Sequence, residues 1–308
     1  MTQFIYIYNG RGSGPNSRED LKELFIRYPI YSASDVVFSD FQSNFDGLSP
    51  DNLTLVLPGG YVVGMALNLY HNKKKLTTLF ESGAQGLFIC AGAYLAAAEA
   101  DVFFDDYARD DATQRFKPLK YWLNTTDDNL VTLKEPGIPQ GFSLNILSDY
   151  KAYGSFIPND TYHTHYTTPL TSSYKKPYSV NLLLEDTQHS TFELFLGGCG
   201  FEPLNEHALS SGSVVARYQD QNPYSFFYKA GKPQKTISHM PAIIRKPGLL
   251  ASGVHLETCV EQSKLLKLMQ EGSEANQYLP LQDSRYDQEA SRSLVIPLLK
   301  ETLNPMGR

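Results

Sequence analysis

An α/β fold with a doubly wound, mostly parallel sheet is what this sequence predicts, and three observations carry the prediction. Short, nearly continuous apolar runs at 53–57, 86–89 and 249–254 have the character of strands buried on both faces, and 3–8 is β-branched and aromatic. Helix-forming segments separate the first of these runs from one another. Each early run stops abruptly at glycine or small residues: Asn9-Gly10-Arg11-Gly12, Pro58-Gly59-Gly60, and Cys90-Ala91-Gly92. Strands alternating with helices favour right-handed crossovers and a parallel sheet, with ligands beyond the carboxyl ends of the strands.

The elements follow in order. After the strand at 3–8 and its glycine-rich turn, Ser17 with Asp20 forms a capping-box pattern, and Leu21, Leu24, Phe25 and Tyr28 repeat at helical spacing. Residues 35–38 predict a second strand, 53–57 a third, and 62–82 a mostly helical segment. The strand at 86–89 runs directly into Cys90, and Ala91 to Glu99 are strong helix formers, so the cysteine is expected where strand becomes helix. Between 105 and 175 the pattern loosens into acidic pairs, aromatics and prolines, read as long connections and accessory structure. A β-rich stretch follows at 180–184, 192–196, 214–218, 226–228 and 242–244. The strand at 249–254 leads to a helix over 261–269, and Pro297 is expected to interrupt a last helix. No linker composition divides the chain, so one domain over 1–308 is expected, with a core of about 1–270 and a C-terminal helical extension at 271–308.

Composition narrows the function. With 42% apolar and 19% charged residues among 308, the chain is that of an ordinary globular protein. A net charge of −6 supplies no basic stripe for displacing counterions, so nucleic acid is not an expected partner. No run of about eighteen apolar residues could cross a bilayer, and residues 1–8 lack the basic start and small-residue cleavage site of a secretory signal. Three cysteines, Cys90, Cys199 and Cys259, are too few and odd in number for a disulfide framework, which points to a reducing, cytoplasmic setting.

Cys90 carries the chemistry. An arbitrary cysteine in an apolar run is a small core hydrophobe. At the N-terminus of a helix, however, unpaired N–H groups and the positive dipole end favour the thiolate. Ala91, Gly92 and Ala93 are small enough for the sharp turn of a nucleophile elbow. A thiolate nucleophile needs a base, and the base an orienting acceptor. His255 and Glu257 meet that need at the end of the strand 249–254, where alternate side chains of an extended chain point the same way. Alone, His-x-Glu is a weak signal in a chain with seven histidines; its force comes from arriving at the same sheet edge as Cys90. The backbone N–H groups of Gly59 and Gly60, with that of Ala91, are the expected oxyanion hole.

Other residue groups carry weaker signals. His163-x-His165 lacks a second ligand pair, and the acidic pairs 105–106 and 110–111 read as solvated loop, so neither metal nor cofactor is expected. Cys199 lies in Gly197-Gly198-Cys199-Gly200, where a packing role outweighs a second reactive thiol. The aromatic-rich segment 150–178 is a possible pocket lining in a chain with 20 tyrosines.

Together, Leu57-Pro58-Gly59-Gly60, Cys90-Ala91-Gly92-Ala93-Tyr94 and Gly253-Val254-His255-Leu256-Glu257 resemble the class I glutamine amidotransferase-like superfamily. Tyr8-Asn9-Gly10-Arg11-Gly12, the glycine-rich stretch from Phe195 to Phe201, and Ala216-Arg217-Tyr218 bring the likeness closest to the amidotransferase-like N-terminal domain of biotin-protein ligases, over roughly residues 1–270. The resemblance implies a flavodoxin-like core, a Cys90-His255-Glu257 triad, and a small-molecule substrate met by Asn9, Gly10, Tyr94, Gly198 and Cys199. It implies an amidohydrolase or acyl-transfer enzyme; the alternative is a catalytically silent binding or regulatory module of the same fold. Two departures matter: Tyr94 stands where the family's glutaminases have glutamine, which argues against ordinary glutamine hydrolysis, and Leu256 replaces the usual proline between histidine and glutamate. Gly10 to Gly14 follows the first strand of a different fold from the ligase domain, so biotinylation is not expected.

Overall fold

The computed structural model describes residues 2–42, 45, 48–60, 62–103, 130–132, 143–155, 178–209, 212–219, 225–226, 235–236, 238–272, 281 and 285–304. The N-terminal half supplies β1 (Gln3–Tyr8), α1 (Pro15–Arg27), β2 (Ser34–Ser39), β3 (Leu53–Leu57), α2 (Val62–Leu69), α3 (Lys73–Glu81), β4 (Gln85–Ile89) and α4 (Ala91–Ala96). Then come β5 (Ala97–Phe103), β6 (Leu130–Thr132), β7 (Leu147–Ser155), β8 (Tyr178–Leu184), β9 (Ser190–Phe195) and β10 (Cys199–Pro203). The remainder is β11 (Val214–Tyr218), β12 (Ser225–Phe226), β13 (Lys235–Thr236), β14 (Pro241–Lys246), β15 (Leu249–Ser252), α5 (Lys264–Glu271) and α6 (Gln288–Leu303).

The principal sheet has nine strands in the order β2-β1-β3-β4-β15-β14-β11-β8-β9. The pairings from β2 through β15 are parallel, whereas β14, β11, β8 and β9 add antiparallel to that half. The sheet is therefore mixed: of the β-rich sequence, β8, β9, β11 and β14 extend it, whereas β10, β12 and β13 lie outside it.

Alternation along the central strands builds two cores. Leu55, Leu57, Phe88 and Ala251 face one side, with α2, α3 and α4. Val56, Leu87, Ile89 and Leu250 face the other, with Leu21, Leu24 and Phe25 of α1 and Val295, Leu298 and Leu299 of α6. Because the strands are covered on both faces, their sequences read as continuous apolar runs instead of alternating ones. A four-stranded sheet, β10-β7-β5-β6, packs on the α4 side through Tyr150, Ala152 and Phe201, and among the described residues β12 pairs with β13. Thr54, the polar residue inside β3, accepts from Gln3 Nε2 at 2.9 Å and lies 2.7 Å from Tyr31 Oη, so its burial leaves no orphan.

Several expectations need correction. α1 begins at Pro15 with Gly14 as its N-cap, so Ser17 and Asp20 form no capping box. Asp20 instead accepts from Ser263 Oγ and from the N–H groups of Lys264 and Leu265, and it thereby anchors α5, which starts at Lys264 rather than 261. The helix after Cys90 stops at Ala96. Residues 97–99 have high helix propensity, yet they pair in parallel with β7, and tertiary pairing outweighs so weak a preference. Pro297 does not interrupt α6: it lies on the exposed side, where the carbonyl it cannot serve is open to water, while Val295, Leu298, Leu299 and Leu303 hold the helix to the sheet on both sides of it. Val295, Leu298, Leu299 and Leu303 of α6 thus pack into the core. The pairs 105–106 and 110–111, His163, His165 and most of the segments 105–175 and 150–178 lie outside the described residues; Tyr150 and Tyr153 are core.

Candidate active site at the carboxyl rim of β4 and β15

Cys90 occupies the single residue between β4 and α4, with φ 49° and ψ −105°. Positive φ costs a non-glycine residue on the order of 1–3 kcal/mol and persists only where the surroundings over-determine it. They do so here. The Cys90 N–H donates to Ser252 O at 2.8 Å on the neighbouring strand, and the Cys90 carbonyl accepts from Ala93 N at 3.0 Å and Tyr94 N at 3.2 Å. Gly92 N–H donates to Pro58 O at 3.2 Å, and a Cβ on Gly92 would collide with the Leu57 carbonyl. The small residues after the cysteine are therefore required by the closeness of α4 to the end of β3. The sulfur itself points toward Leu196 O at 3.6 Å and is 3% exposed as a residue.

His255 reaches the same rim because β15 lies beside β4 with Ser252 opposite Ile89. Past Gly253 the chain leaves the sheet, and His255 N–H donates to Leu194 O at 2.8 Å. His255 Nδ1 lies 2.9 Å from Glu257 Oε1, as the His-x-Glu spacing predicts, but the cause differs from the expected one. The strand ends at Ser252; His255 caps a 3-10 turn, Leu256–Cys259, and that turn, not strand alternation, brings the two side chains together.

Glu257 is fully buried, and its Oε1 also accepts from Ser17 Oγ, 240 residues away, at 2.5 Å. Ser17 Oγ in turn accepts from Gly59 N–H at 2.9 Å. A Cβ on Gly59 would come within 2.7 Å of His255 Cε1, so glycine leaves room for the ring. Burial by itself would lower the basicity of His255, but the charges of Glu257 and of the Cys90 sulfur, and the hydrogen bond to Glu257, hold the imidazolium well above the usual histidine range. With Nδ1 committed to Glu257, the other nitrogen is the one left to address Cys90. His255 Nε2 is buried without a hydrogen bond of ordinary geometry among the described residues, while the sulfur is near enough to act on the ring.

The remaining candidates divide. Gly59 N–H is taken by Ser17, which removes it from the expected oxyanion donors; among the described residues the N–H groups of Gly60 and Ala91 meet no acceptor. Tyr94 is fully buried, its hydroxyl donating to Gly198 O at 2.5 Å and Gly197 O at 3.2 Å, and burial raises its ionisation well above the usual tyrosine range. A Cβ on Gly198 would strike the Gly253 carbonyl. Cys199 is wholly buried in β10, its thiol pushed up by burial and then by the charge of Cys90. These three residues are used in packing beneath the rim. Asn9 is exposed at the end of β1, one strand removed from β4, and Gly10 begins the turn whose later residues lie on Gly59 and Gly60 through Gly14 N–H to Gly59 O at 2.8 Å.

Sequence reasoning missed Ser17 and Leu196. Nothing local distinguishes a capping serine from one whose partner is 240 residues away. Among the described residues, no group of three His, Cys, Asp or Glu side chains is placed to hold a metal ion, and no helix is long and apolar enough to cross a membrane.

The structure defines an α/β protein with a strained strand-to-helix cysteine beside a histidine-glutamate pair. No family model matches the chain, and no curated protein matches it. Among solved structures it is similar to the crystal structure of a glutamine amidotransferase, at 17% identity over 87% of this chain and 97% of that one, with a TM-score of 0.44.

Proposed function

We propose that this chain is a cysteine-dependent enzyme of the class I glutamine amidotransferase-like kind, with a flavodoxin-like core and a Cys90-His255-Glu257 triad. In this reading it is akin to the amidotransferase-like N-terminal domain of biotin-protein ligases. The observation that carries the reading is the placement of Cys90, at φ 49° on the rim of β4, beside a His255 whose Nδ1 is held by Glu257 and whose Nε2 has no other hydrogen bond among the described residues. A non-glycine residue kept at positive φ is costly, and strain of this kind collects where a side chain is aimed for chemistry.

The reaction is acyl transfer from a small amide, ester or thioester. The Cys90 thiolate attacks the carbonyl carbon, and the resulting oxyanion is met by the N–H groups of Gly60 and Ala91. The tetrahedral intermediate collapses as protonated His255 gives its Nε2 proton to the leaving amine or alcohol, which leaves an acyl-thioester on Cys90. Water, deprotonated by the now neutral His255, attacks that thioester, and the thiolate returns with the proton back on His255. Glutamine is not the substrate in this reading, since the residue four after the nucleophile is Tyr94, tied to Gly197 and Gly198. Three unpaired, buried cysteines favour a reducing compartment such as the cytoplasm.

The rival reading, a silent binding module, draws on the same tyrosine and on the 3% exposure of Cys90. Incubation with p-nitrophenyl acetate separates the two. An acetyl group mapped to Cys90, with repeated release of nitrophenol that Cys90→Ser and His255→Ala abolish, supports the enzyme. Nitrophenol release at the same rate from all three proteins overturns it.

A further inference from the structure

We propose that Ser17 is a positioning residue of the site, a fourth member that acts through Glu257 and through the Pro58-Gly59-Gly60 loop. This inference rests on the triad reading given above.

Ser17 is 2% exposed on the first turn of α1 and serves no capping function there, since Gly14 is the N-cap. A serine hydroxyl has one proton and two acceptor sites. Gly59 N–H occupies one acceptor site at 2.9 Å, and the proton is directed to Glu257 Oε1. The chain of bonds therefore runs one way, from Gly59 N–H through Ser17 to Glu257. Oε1 receives Ser17 on one side and His255 Nδ1 on the other, whereas Oε2 is buried without a partner among the described residues. Ser17 and His255 are thus what fix the rotation of the carboxylate. With Ser17 removed, the carboxylate is free to turn away from the imidazole, and the proton on Nδ1 is no longer held.

Ser17 also grips the loop that carries the candidate oxyanion donor. Gly59 is clamped from both sides by the start of α1: its N–H goes to Ser17 Oγ, and its carbonyl accepts from Gly14 N–H at 2.8 Å. The next N–H along the chain is that of Gly60. One hydroxyl thereby couples the orientation of the carboxylate to the pose of the loop, as partners behind a functional side chain do elsewhere, where their loss costs about 10–100-fold.

The test is a double-mutant cycle on the full-length protein, read as the rate of iodoacetamide alkylation at Cys90 by peptide mapping from pH 5 to 9. The proteins are wild type, Ser17→Ala, Glu257→Gln, the double variant, and His255→Ala, each checked for native melting. Should Ser17→Ala melt below the assay temperature, Ser17→Cys, close in size and a poor donor, replaces it, its own thiol being mapped separately. The proposal expects Ser17→Ala to slow alkylation at neutral pH about 10–100-fold and to change the shape of the pH profile. It expects almost no further effect in the Glu257→Gln background, because alkylation at a saturated carbon forms no oxyanion for the loop to hold and so reads Ser17 through Glu257 alone. A wild-type profile for Ser17→Ala, or an equal effect in both backgrounds, overturns the role of Ser17 and leaves the triad standing. If His255→Ala and Glu257→Gln alkylate as wild type does, the triad reading itself fails.

Discussion

The backbone N–H of Cys90 donates to the carbonyl of Ser252 at 2.8 Å, and this bond ties the residue just past β4 to the last residue of the parallel strand β15, from a distant part of the sequence. It places the cysteine elbow and the exit of β15 side by side, so that His255 arrives at the sulfur by topology, not by a long flexible side chain. The close approaches at its glycines make these the places where the site should be most sensitive.

Gly59→Ala puts a methyl group within 2.7 Å of His255 Cε1. The backbone can accept alanine there, so the ring must move. Alkylation of Cys90 by iodoacetamide is expected to fall at least tenfold at pH 7, with the midpoint of thermal unfolding within a few degrees of wild type as measured by scanning fluorimetry.

Gly92→Ala acts on the fold instead. Its Cβ would enter the carbonyl of Leu57, which is backbone and cannot step aside. Overpacking of this kind costs about 1–3 kcal/mol, to be read from urea unfolding midpoints.

Tyr94→Phe separates packing from recognition at the position where the family resemblance implies a substrate contact. Loss of the hydroxyl leaves Gly198 O without its donor and should cost roughly 1 kcal/mol in urea unfolding. Hydrolysis of p-nitrophenyl acetate is expected to keep its KM, because the ring is beneath the site rather than in it.

Glu193 gives a pH dependence with a definite sign. Burial raises its carboxyl from 4.5 to about 8, against the opposing bond from Ser291 Oγ at 2.8 Å, and Oε1 has no partner among the described residues. The folded state thus holds the proton more tightly than the unfolded state. The stability this contributes is fully present below pH 4.5 and is lost as pH rises through about 8. Glu193→Gln, which cannot ionise, should match wild type near pH 5 and melt at least about 2 °C above it at pH 9.

What the sequence revealed, and what it concealed, follows from the range of the interactions. The strands β1, β3, β4 and β15 were legible because each is a compact apolar run that ends near glycine or other small residues. Cys90, His255 and Glu257 were legible because each lies at the end of such a run. Residues 97–99 were not: alanines and a glutamate favour helix locally, and only pairing with β7, some fifty residues on, makes them strand. Pro297 misled because its cost depends on which side of α6 meets solvent. Ser17 was hidden for the same kind of reason, its partner being fixed by the packing of α1 against the turn after β15 and by nothing near it in sequence. The Tyr94 position drew attention to substrate, whereas its hydroxyl is bound to a loop that meets it only in three dimensions.

Competitive alkylation measures the central claim most directly. Folded protein is treated with iodoacetamide at pH 7, quenched over time, and mapped at Cys90, Cys199 and Cys259. Labelling at Cys90 that is complete before the other two thiols react, and that slows on His255→Ala, is the result this account predicts; equal, slow labelling of all three, unchanged by that substitution, would contradict it.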